Sequence, residues 1–319
     1  MSFGLEEPAV FPSLTHAQRL SGSGPAVSAP QLLELESLSL DGEWVELPKL
    51  ERVDELLLLL SSDLSLPALV TLRSGRIEAG PSVSLPGIER AEELRLGPGK
   101  TWDLGQGTRF SLPALTRVDT LSVNISEIEA PLLERVETLS PCGVGELPAL
   151  TQVGQLAAGH ACGQLLMPNL EELGGLTVSF GNHTESFAGF DGLPALQRVE
   201  RLTLSGVGFP LGELPSVVVS ETLTLGALNM HGSLSPSLIG GSLVIQDTYN
   251  IEPSYLEGLT AIPGSLSFVD TRTSTLPQWS TLNSVGGDVR FSGNPYLKES
   301  EVEKWLTGVQ VGGAVSFSE

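Results

Sequence analysis

One short pattern recurs along most of this chain of 319 residues. It is clearest at residues 193–204, which are Leu-Pro-Ala-Leu-Gln-Arg-Val-Glu-Arg-Leu-Thr-Leu. A proline opens each copy, and successive prolines are mostly about 17 to 21 residues apart, a period that indicates a solenoid. These prolines are Pro12, Pro30, Pro48, Pro67, Pro86, Pro113, Pro131, Pro148, Pro168, Pro194, Pro215 and Pro236.

Each copy ends in the apolar-x-apolar alternation of a strand with one buried face, as in Leu202-Thr203-Leu204. Such a short strand is unstable alone, because its backbone and its apolar face both need partners. A neighbouring coil with the same pattern supplies both partners. The sequence therefore predicts an all-β fold, a parallel β-solenoid with coils of about 20 residues. Proline suits the corner, since it fixes φ and needs no ladder donor there.

The pattern changes towards the C-terminus. Residues 285–291 are Val-Gly-Gly-Asp-Val-Arg-Phe, and an Asn-Pro pair follows at 294–295. Residues 300–303 have the Ser-x-x-Glu spacing of a capping box, which predicts a short helix with Val302, Trp305 and Leu306 directed inward. A last strand is predicted at 315–317. Terminal repeats cover the end of a solenoid core, so this helix is expected to be a C-terminal cap.

The Val-Gly-Gly-x-Val-x-Phe run, the Asn294-Pro295 turn and the helix-then-strand ending resemble the receptor L-domain family. The upstream copies resemble leucine-rich repeats. The resemblance to receptor L domains covers about residues 255–319 and is looser over 12–254. It implies a right-handed β-solenoid that binds protein or sugar ligands through its surface and is not an enzyme.

The unbroken repeat predicts a single solenoid domain over residues 1–319, because a solenoid grows by adding coils. Length alone would instead suggest about two globular domains. Within the solenoid, residues 1–29 form an N-terminal cap and a weak first coil, 30–254 form the Leu-Pro-x-Leu coils, and 255–319 form the receptor-L-domain-like coils with the C-terminal cap.

The chain is strongly acidic, with 17 Lys and Arg against 38 Asp and Glu and a formal net charge of -21. This argues against nucleic acid and anionic membrane surfaces, which both need basic patches, and it favours a cationic partner. No stretch is long and apolar enough to cross a bilayer, so no membrane insertion is expected. The first residues lack a basic start and an apolar segment, which favours a cytoplasmic protein over an extracellular or cell-surface one.

Two insertions interrupt the coils, at residues 97–110 and 179–192, and both leave the strand at the same point of the coil. They hold several of the few aromatic residues, and insertions in solenoids often mark the binding face. Trp102, Arg109, His183 and Phe187 are therefore candidate binding residues. The alternative is that these rings fold back and cover the edge of the coil.

A second candidate surface is formed by the outward positions of the strands, which make two columns rich in hydroxyl groups. Such a face suits an extended peptide or a carbohydrate, and Thr203, Thr224, Ser267 and Arg290 are its candidate binding residues. Serine and threonine also simply tolerate a solvated strand. The central column is Ser39, Arg95, Ser122, Ser140, Thr177, Thr203, Thr224, Val244, Ser267, Arg290 and Ser316, and the preceding column is Ser37, Thr120, Thr138, Arg201, Thr222, Ser242, Ser265 and Asp288.

One coil departs from this polar face, because its outward residues are Leu57 and Leu59. A loop covers them, or they belong to a contact surface.

Arginines recur shortly before the strand midpoints, each with an acid two residues later. Stacked coils would arrange these residues as a mixed-charge ladder, in which each exposed pair contributes about 0.2–1 kcal/mol. The predicted pairs are Arg52 and Asp54, Arg90 and Glu92, Arg117 and Asp119, Arg135 and Glu137, and Arg198 and Glu200.

The only two cysteines, Cys142 and Cys162, each lie six residues before a repeat proline. They are expected to stack in adjacent coils, about 5 Å apart at Cα, which is within disulfide range. Three interpretations are open: two buried reduced thiols, which we prefer, a disulfide, or a metal pair completed by His160. A metal site needs more ligands than the sequence offers there.

Asp247 and Asp270 occupy one column in consecutive coils, each followed by threonine. Two carboxylates about 5–5.5 Å apart are typical of retaining glycosidases, so this pair is the alternative catalytic site. Asp-Thr after a strand is also ordinary turn chemistry.

The sequence contains no phosphate loop, dinucleotide-binding fingerprint, His-Glu-x-x-His motif or nucleophile elbow, and no cofactor or metal is expected. The leading prediction is a non-enzymatic interaction module that binds a protein or glycan partner through the solenoid surface. A carbohydrate-active enzyme and a structural spacer are the alternatives. The sequence leaves the identity of the ligand and the oligomeric state open.

Overall fold

The computed structural model describes residues 2–4, 7–98, 108–158, 165–179, 192–210, 217–231, 238–248, 258–273, 276 and 281–318. The fold is mostly β, and the described residues contain one short helix. It is a parallel β-solenoid with turns of roughly 19 residues, which confirms the predicted fold class. The described residues fall into two compact units.

The first unit contains the described residues up to Leu156, together with 165–170 and 192–194. The single-domain assignment and its internal boundaries stay predictions. Strands of this unit are β1 (Ser2–Gly4), β2 (Ala9–Val10), β3 (His16–Ser28), β4 (Glu34–Glu46), β5 (Arg52–Leu60), β6 (Leu64–Ser65), β7 (Thr71–Ala79), β8 (Ser82–Ser84), β9 (Arg90–Pro98), β10 (Thr108–Ser111), β11 (Arg117–Glu129), β12 (Arg135–Glu146), β13 (Gln152–Ala158) and β14 (Leu165–Leu166).

The second unit contains residues 157–158, which are the last two residues of β13, together with 171–179 and the described residues from Ala195 onward. Its elements are β15 (Glu172–Ser179), β16 (Arg198–Pro210), β17 (Val218–His231), β18 (Ser242–Gln246), β19 (Ala261–Ile262), β20 (Leu266–Val269), β21 (Ser284–Val285), β22 (Val289–Ser292), α1 (Glu299–Leu306), β23 (Gln310–Val311) and β24 (Val315–Ser318).

Equivalent residues of successive coils lie opposite each other in the first unit. Leu20, Leu38 and Leu56 are in register and at most 3% exposed. The column continues through Gly75 to Leu94. Burying one leucine side chain contributes roughly 1.5–3 kcal/mol, so this apolar column stabilises the stack of coils.

The long strand β11 runs through a corner of its coil. Its register with β12 shifts between Asn124 and Glu127, which marks a bulge where the strand bends. Residues before this point pair with β9, and residues after it pair with β10. Each coil here therefore has a main strand face, formed by β4, β5, β7, β9 and the first part of β11, and a second strand face, formed by β8, β10 and the last part of β11.

The Leu-Pro-x-Leu motif forms a β-turn with proline at its second position. The N–H of Leu50 donates to the carbonyl oxygen of Leu47 at 3.3 Å, and the N–H of Leu69 donates to that of Leu66 at 3.2 Å. Proline suits this position because its φ is already close to the value that the turn needs. All four leucines are buried, so the two leucines of each motif hold the turn against the core.

The C-terminal coils turn instead on glycine. A Cβ atom at Gly241 would collide with the carbonyl oxygen of Glu221, and one at Gly286 with that of Pro263. Glycine is needed there because the backbones of neighbouring coils approach too closely for a side chain. The Val-Gly-Gly-x-Val-x-Phe run is thus a corner of the coil followed by a strand.

The predicted C-terminal helix is present as α1, although its start differs from the capping-box prediction. Its N-cap is Lys298, without a side-chain capping bond, so Ser300 lies inside the helix. Val302 is 2% exposed. Trp305 packs edge-on against Phe268 and Phe291, with ring centroids 6.2 and 6.5 Å apart. No helix in the described part of the chain has the length and apolar character that a bilayer crossing requires.

Candidate functional site

A groove of about 360 Å³ lies on the main strand face of the first unit. Strand alternation sends the leucines of the core column inward and their neighbours outward, so two outward columns line the groove. We call this groove, with its two lining columns, the strand-face groove. One column is Ser37, Glu55, Ser74 and Glu93, and the other is Ser39, Leu57, Arg76 and Arg95.

Most charged residues of the strand-face groove are paired within their own strands. Arg95 donates to Glu93 at 2.5 Å, and Arg76 donates to Glu78 through Nε at 2.8 Å. Glu55 has a weaker partner, since its contact with Arg73 is 3.5 Å long and the two side chains are 62% and 50% exposed. Its carboxylate is therefore the least compensated charge in the groove.

Leu57 brings an apolar side chain into this polar surface. It lies two residues after Glu55 on β5 and is half-buried, as is Leu59. Its column neighbours are Ser39 and Arg76. Of the two interpretations of this leucine pair, the groove favours a contact surface for Leu57.

The predicted hydroxyl column is in register in the second unit. Thr203 lies opposite Thr224, and Ser267 lies opposite Arg290. The threonines and Ser267 are half-buried, whereas Arg290 is exposed and donates to Asp288 at 2.8 Å. Their role in binding stays a prediction.

The preceding column has a structural role in the C-terminal coils. The N–H of Ser265 donates to Oγ of Ser242 at 3.0 Å, and the N–H of Asp288 donates to Oγ of Ser265 at 3.1 Å. The N–H of Ala314 donates to Oδ1 of Asp288 at 3.0 Å. Hydrogen bonds from Arg290 and then from Ala314 lower the pKa of Asp288. We call this series the N–H ladder. Its side-chain oxygens accept hydrogen bonds from backbone N–H groups of the next coil and do not form an open hydroxyl face.

Asp247 and Asp270 both lie at left-handed backbone positions, each with φ of 51°. Gly293 takes the equivalent position of the next coil, with φ of 64°. Aspartate is one of the few residues other than glycine that adopts this conformation readily. Turn geometry thus accounts for both aspartates without catalysis.

A buried polar group follows each of these positions. Thr248, Thr271 and Asn294 are at most 4% exposed. Oδ1 of Asn294 accepts bonds from the N–H of Thr271 at 3.0 Å and from its hydroxyl at 2.5 Å. Nδ2 donates to the carbonyl oxygens of Phe268 and Ser292, both at 3.0 Å. This Asn294 network ties two consecutive coils together and was not predicted from the sequence.

Of the four candidates on the insertions, only Arg109 lies within the described ranges; Trp102, His183 and Phe187 lie outside them. Arg109 forms two hydrogen bonds with Glu127 of the next coil, both 2.9 Å long. This pairing raises the pKa of Arg109 and lowers the pKa of Glu127. A ligand that used Arg109 would therefore have to displace Glu127.

The charge ladder follows the predicted spacing in three coils. Arg52 pairs with Asp54, and Arg135 with Glu137, each two residues apart. Arg117 and Asp119 form a third such pair.

Arg198 is different, because its partner is Glu172 at 3.4 Å rather than Glu200. Glu172 lies directly opposite Arg198 in the register of β15 and β16.

Cys142 is half-buried and disulfide-bonded. This departs from the preferred interpretation of two reduced thiols. The chain has one other cysteine, Cys162, which lies outside the described residues. Groups of three or more metal-binding side chains do not occur among the residues with described positions.

These features define the class of this protein as a β-solenoid repeat protein. No protein-family model matches the chain, and the comparison with curated proteins yields no match. The resemblance to receptor L domains and leucine-rich repeats therefore rests on the sequence pattern alone.

Proposed function

We propose that this protein is a non-enzymatic interaction module that binds a protein partner across the strand-face groove. The observation that supports this proposal is the mixed lining of the groove, where hydroxyl, carboxylate, guanidinium and leucine side chains lie in two regular columns. Parallel coils repeat about every 4.8 Å, so an extended segment can contact several coils in succession.

The lining favours a protein over a glycan. None of the residues that line the groove is aromatic, whereas sugar sites commonly use an aromatic face. A combination of arginine, leucine and small polar residues is typical of protein interfaces with a polar rim. The resemblance of residues 255–319 to receptor L domains supports the same proposal, because that family binds ligands through the solenoid surface.

Site-specific crosslinking tests the proposal. A photoreactive residue at Ser39 lies in the groove, whereas one at Glu129 lies on the second strand face and is the control. We expect a discrete protein adduct from position 39 and none from position 129. The adduct should disappear in a Leu57→Trp, Ser74→Trp variant, because the two added rings fill the groove whatever the charge of the partner. Equal adducts from both positions, or an adduct that survives the double substitution, would contradict the proposal.

A further inference from the structure

We propose that Glu55 and Leu57 form a subsite for one basic side chain, Lys or Arg, of the partner. This inference rests on the proposed function and specifies the chemistry of the partner. The two residues are separated by one residue in β5 and project from the same face, so their side chains lie roughly 7 Å apart. A lysine side chain has a comparable length.

The space around Glu55 is open to such a group. Its column neighbours are Ser37 on one side and Ser74 on the other, and both are small. A cation that approaches from solvent meets the carboxylate without moving either of these column neighbours. It competes only with the 3.5 Å contact from Arg73, an exposed pair of a kind that contributes about 0–1 kcal/mol.

The neighbouring charges orient the basic side chain. Lysine and arginine pack their aliphatic stems on apolar surface and keep the charged head in a polar environment. Here Leu57 offers the apolar surface, and Arg76 lies next to it in the same column. Arg76 is already paired with Glu78 and offers the charged head no acceptor, so the acceptor left for the head is Glu55. The net charge of -21 attracts cationic partners over a longer range.

The occupant that these contacts favour is an extended basic segment. An acidic segment would meet Glu55 and Glu93 in the first column, and a purely apolar one would desolvate the Glu55 carboxylate and leave it only the 3.5 Å contact with Arg73. A basic residue satisfies both the carboxylate and the leucine.

The test uses the full chain and three synthetic seven-residue peptides that differ only at the centre, with Lys, norleucine or Glu. Binding is followed by the amide resonances of β5 and by titration calorimetry. We expect the Lys peptide to bind and the other two to bind at least roughly threefold more weakly. Glu55→Gln should weaken the Lys peptide by roughly three- to tenfold, and Leu57→Ser by a similar factor.

Glu134→Gln is the matched control. Glu134 is also exposed and lies outside the groove, and the substitution removes the same charge as Glu55→Gln does. It should change affinity by less than about twofold. Equal losses in Glu55→Gln and Glu134→Gln would overturn the proposal, since only the net charge would then matter. Failure of the Lys peptide to shift β5 resonances at millimolar concentration would overturn it as well. A Ser39 crosslink that persists in either case would leave the interaction module standing with a different partner chemistry.

Discussion

The Asn294 network provides the sharpest test of how the C-terminal coils are held together. Replacing Asn294 with alanine removes an acceptor for the N–H and hydroxyl of Thr271 and a donor to the carbonyls of Phe268 and Ser292. These groups are buried or partly buried, so water restores few of the lost bonds.

The magnitude follows from the number of bonds. Each of the four hydrogen bonds contributes a net of about 0.5–1.5 kcal/mol, and a buried polar group left without a partner costs about 1–3 kcal/mol. Allowing for water at the partly buried Ser292 carbonyl, we expect Asn294→Ala to lower the free energy of unfolding of these coils by about 3–5 kcal/mol. Asn294→Asp should be at least as damaging, because it places an acceptor against two carbonyl oxygens.

Native-state hydrogen exchange is the appropriate assay, because coils of a solenoid can open separately and a single global transition can miss the change. The amide of Thr271 reports directly, since its partner is the Asn294 side chain. Its exchange should accelerate at least about a hundredfold. Asn283→Ala is the control, because Asn283 is exposed, and it should change stability by no more than about 0.5 kcal/mol.

An Asn294→Ala variant in which the Thr271 amide exchanges within about twofold of the wild-type rate would refute this reasoning. It would mean that the four bonds contribute nothing net, or that the coils stay closed by stacking of Phe268 on Phe291 alone.

Three further predictions concern other parts of the chain. Asp270→Asn should leave the melting temperature unchanged, whereas Asp270→Val should cost about 1–2 kcal/mol, because valine tolerates positive φ poorly; equal melting curves would contradict this. In an NMR titration, the pKa of Glu127 should lie below its ordinary value and return to it in Arg109→Ala. The stability from this pair is complete above the ordinary pKa of glutamate and is lost as the pH falls through the lowered one. Mass spectrometry of the non-reduced native protein should find no free thiol at Cys142; a labelled thiol there would exclude the disulfide.

The coils could be predicted from the repeat, because each pattern in the repeat depends only on residues that are close together in the sequence. Alternation of apolar residues marks a strand, and Leu-Pro-x-Leu marks a turn, whatever lies elsewhere in the chain. The Leu47–Leu50 turn and the buried Leu38 and Leu56 follow directly from that pattern.

The candidate sites were less predictable, because serine looks the same in a sequence whether it faces solvent or the next coil. Both Ser265 and Thr203 are predicted from the sequence to lie in outward columns. The structure assigns Ser265 to the N–H ladder, because its Oγ accepts from the N–H of Asp288, which follows the glycine corner of the next coil. Thr203 has no corresponding bond among the described residues.

The sequence by itself determined that this chain winds in coils around one continuous apolar core, because the periodicity can be read from neighbouring residues. Only the tertiary structure decided which polar residues pair with one another, as Arg198 shows by pairing with Glu172 instead of Glu200. It also decided that the Glu55 carboxylate, beside Leu57, has only a weak 3.5 Å contact with Arg73. The reason is that each partner lies about one coil away, and the register between coils depends on turns and insertions of varying length.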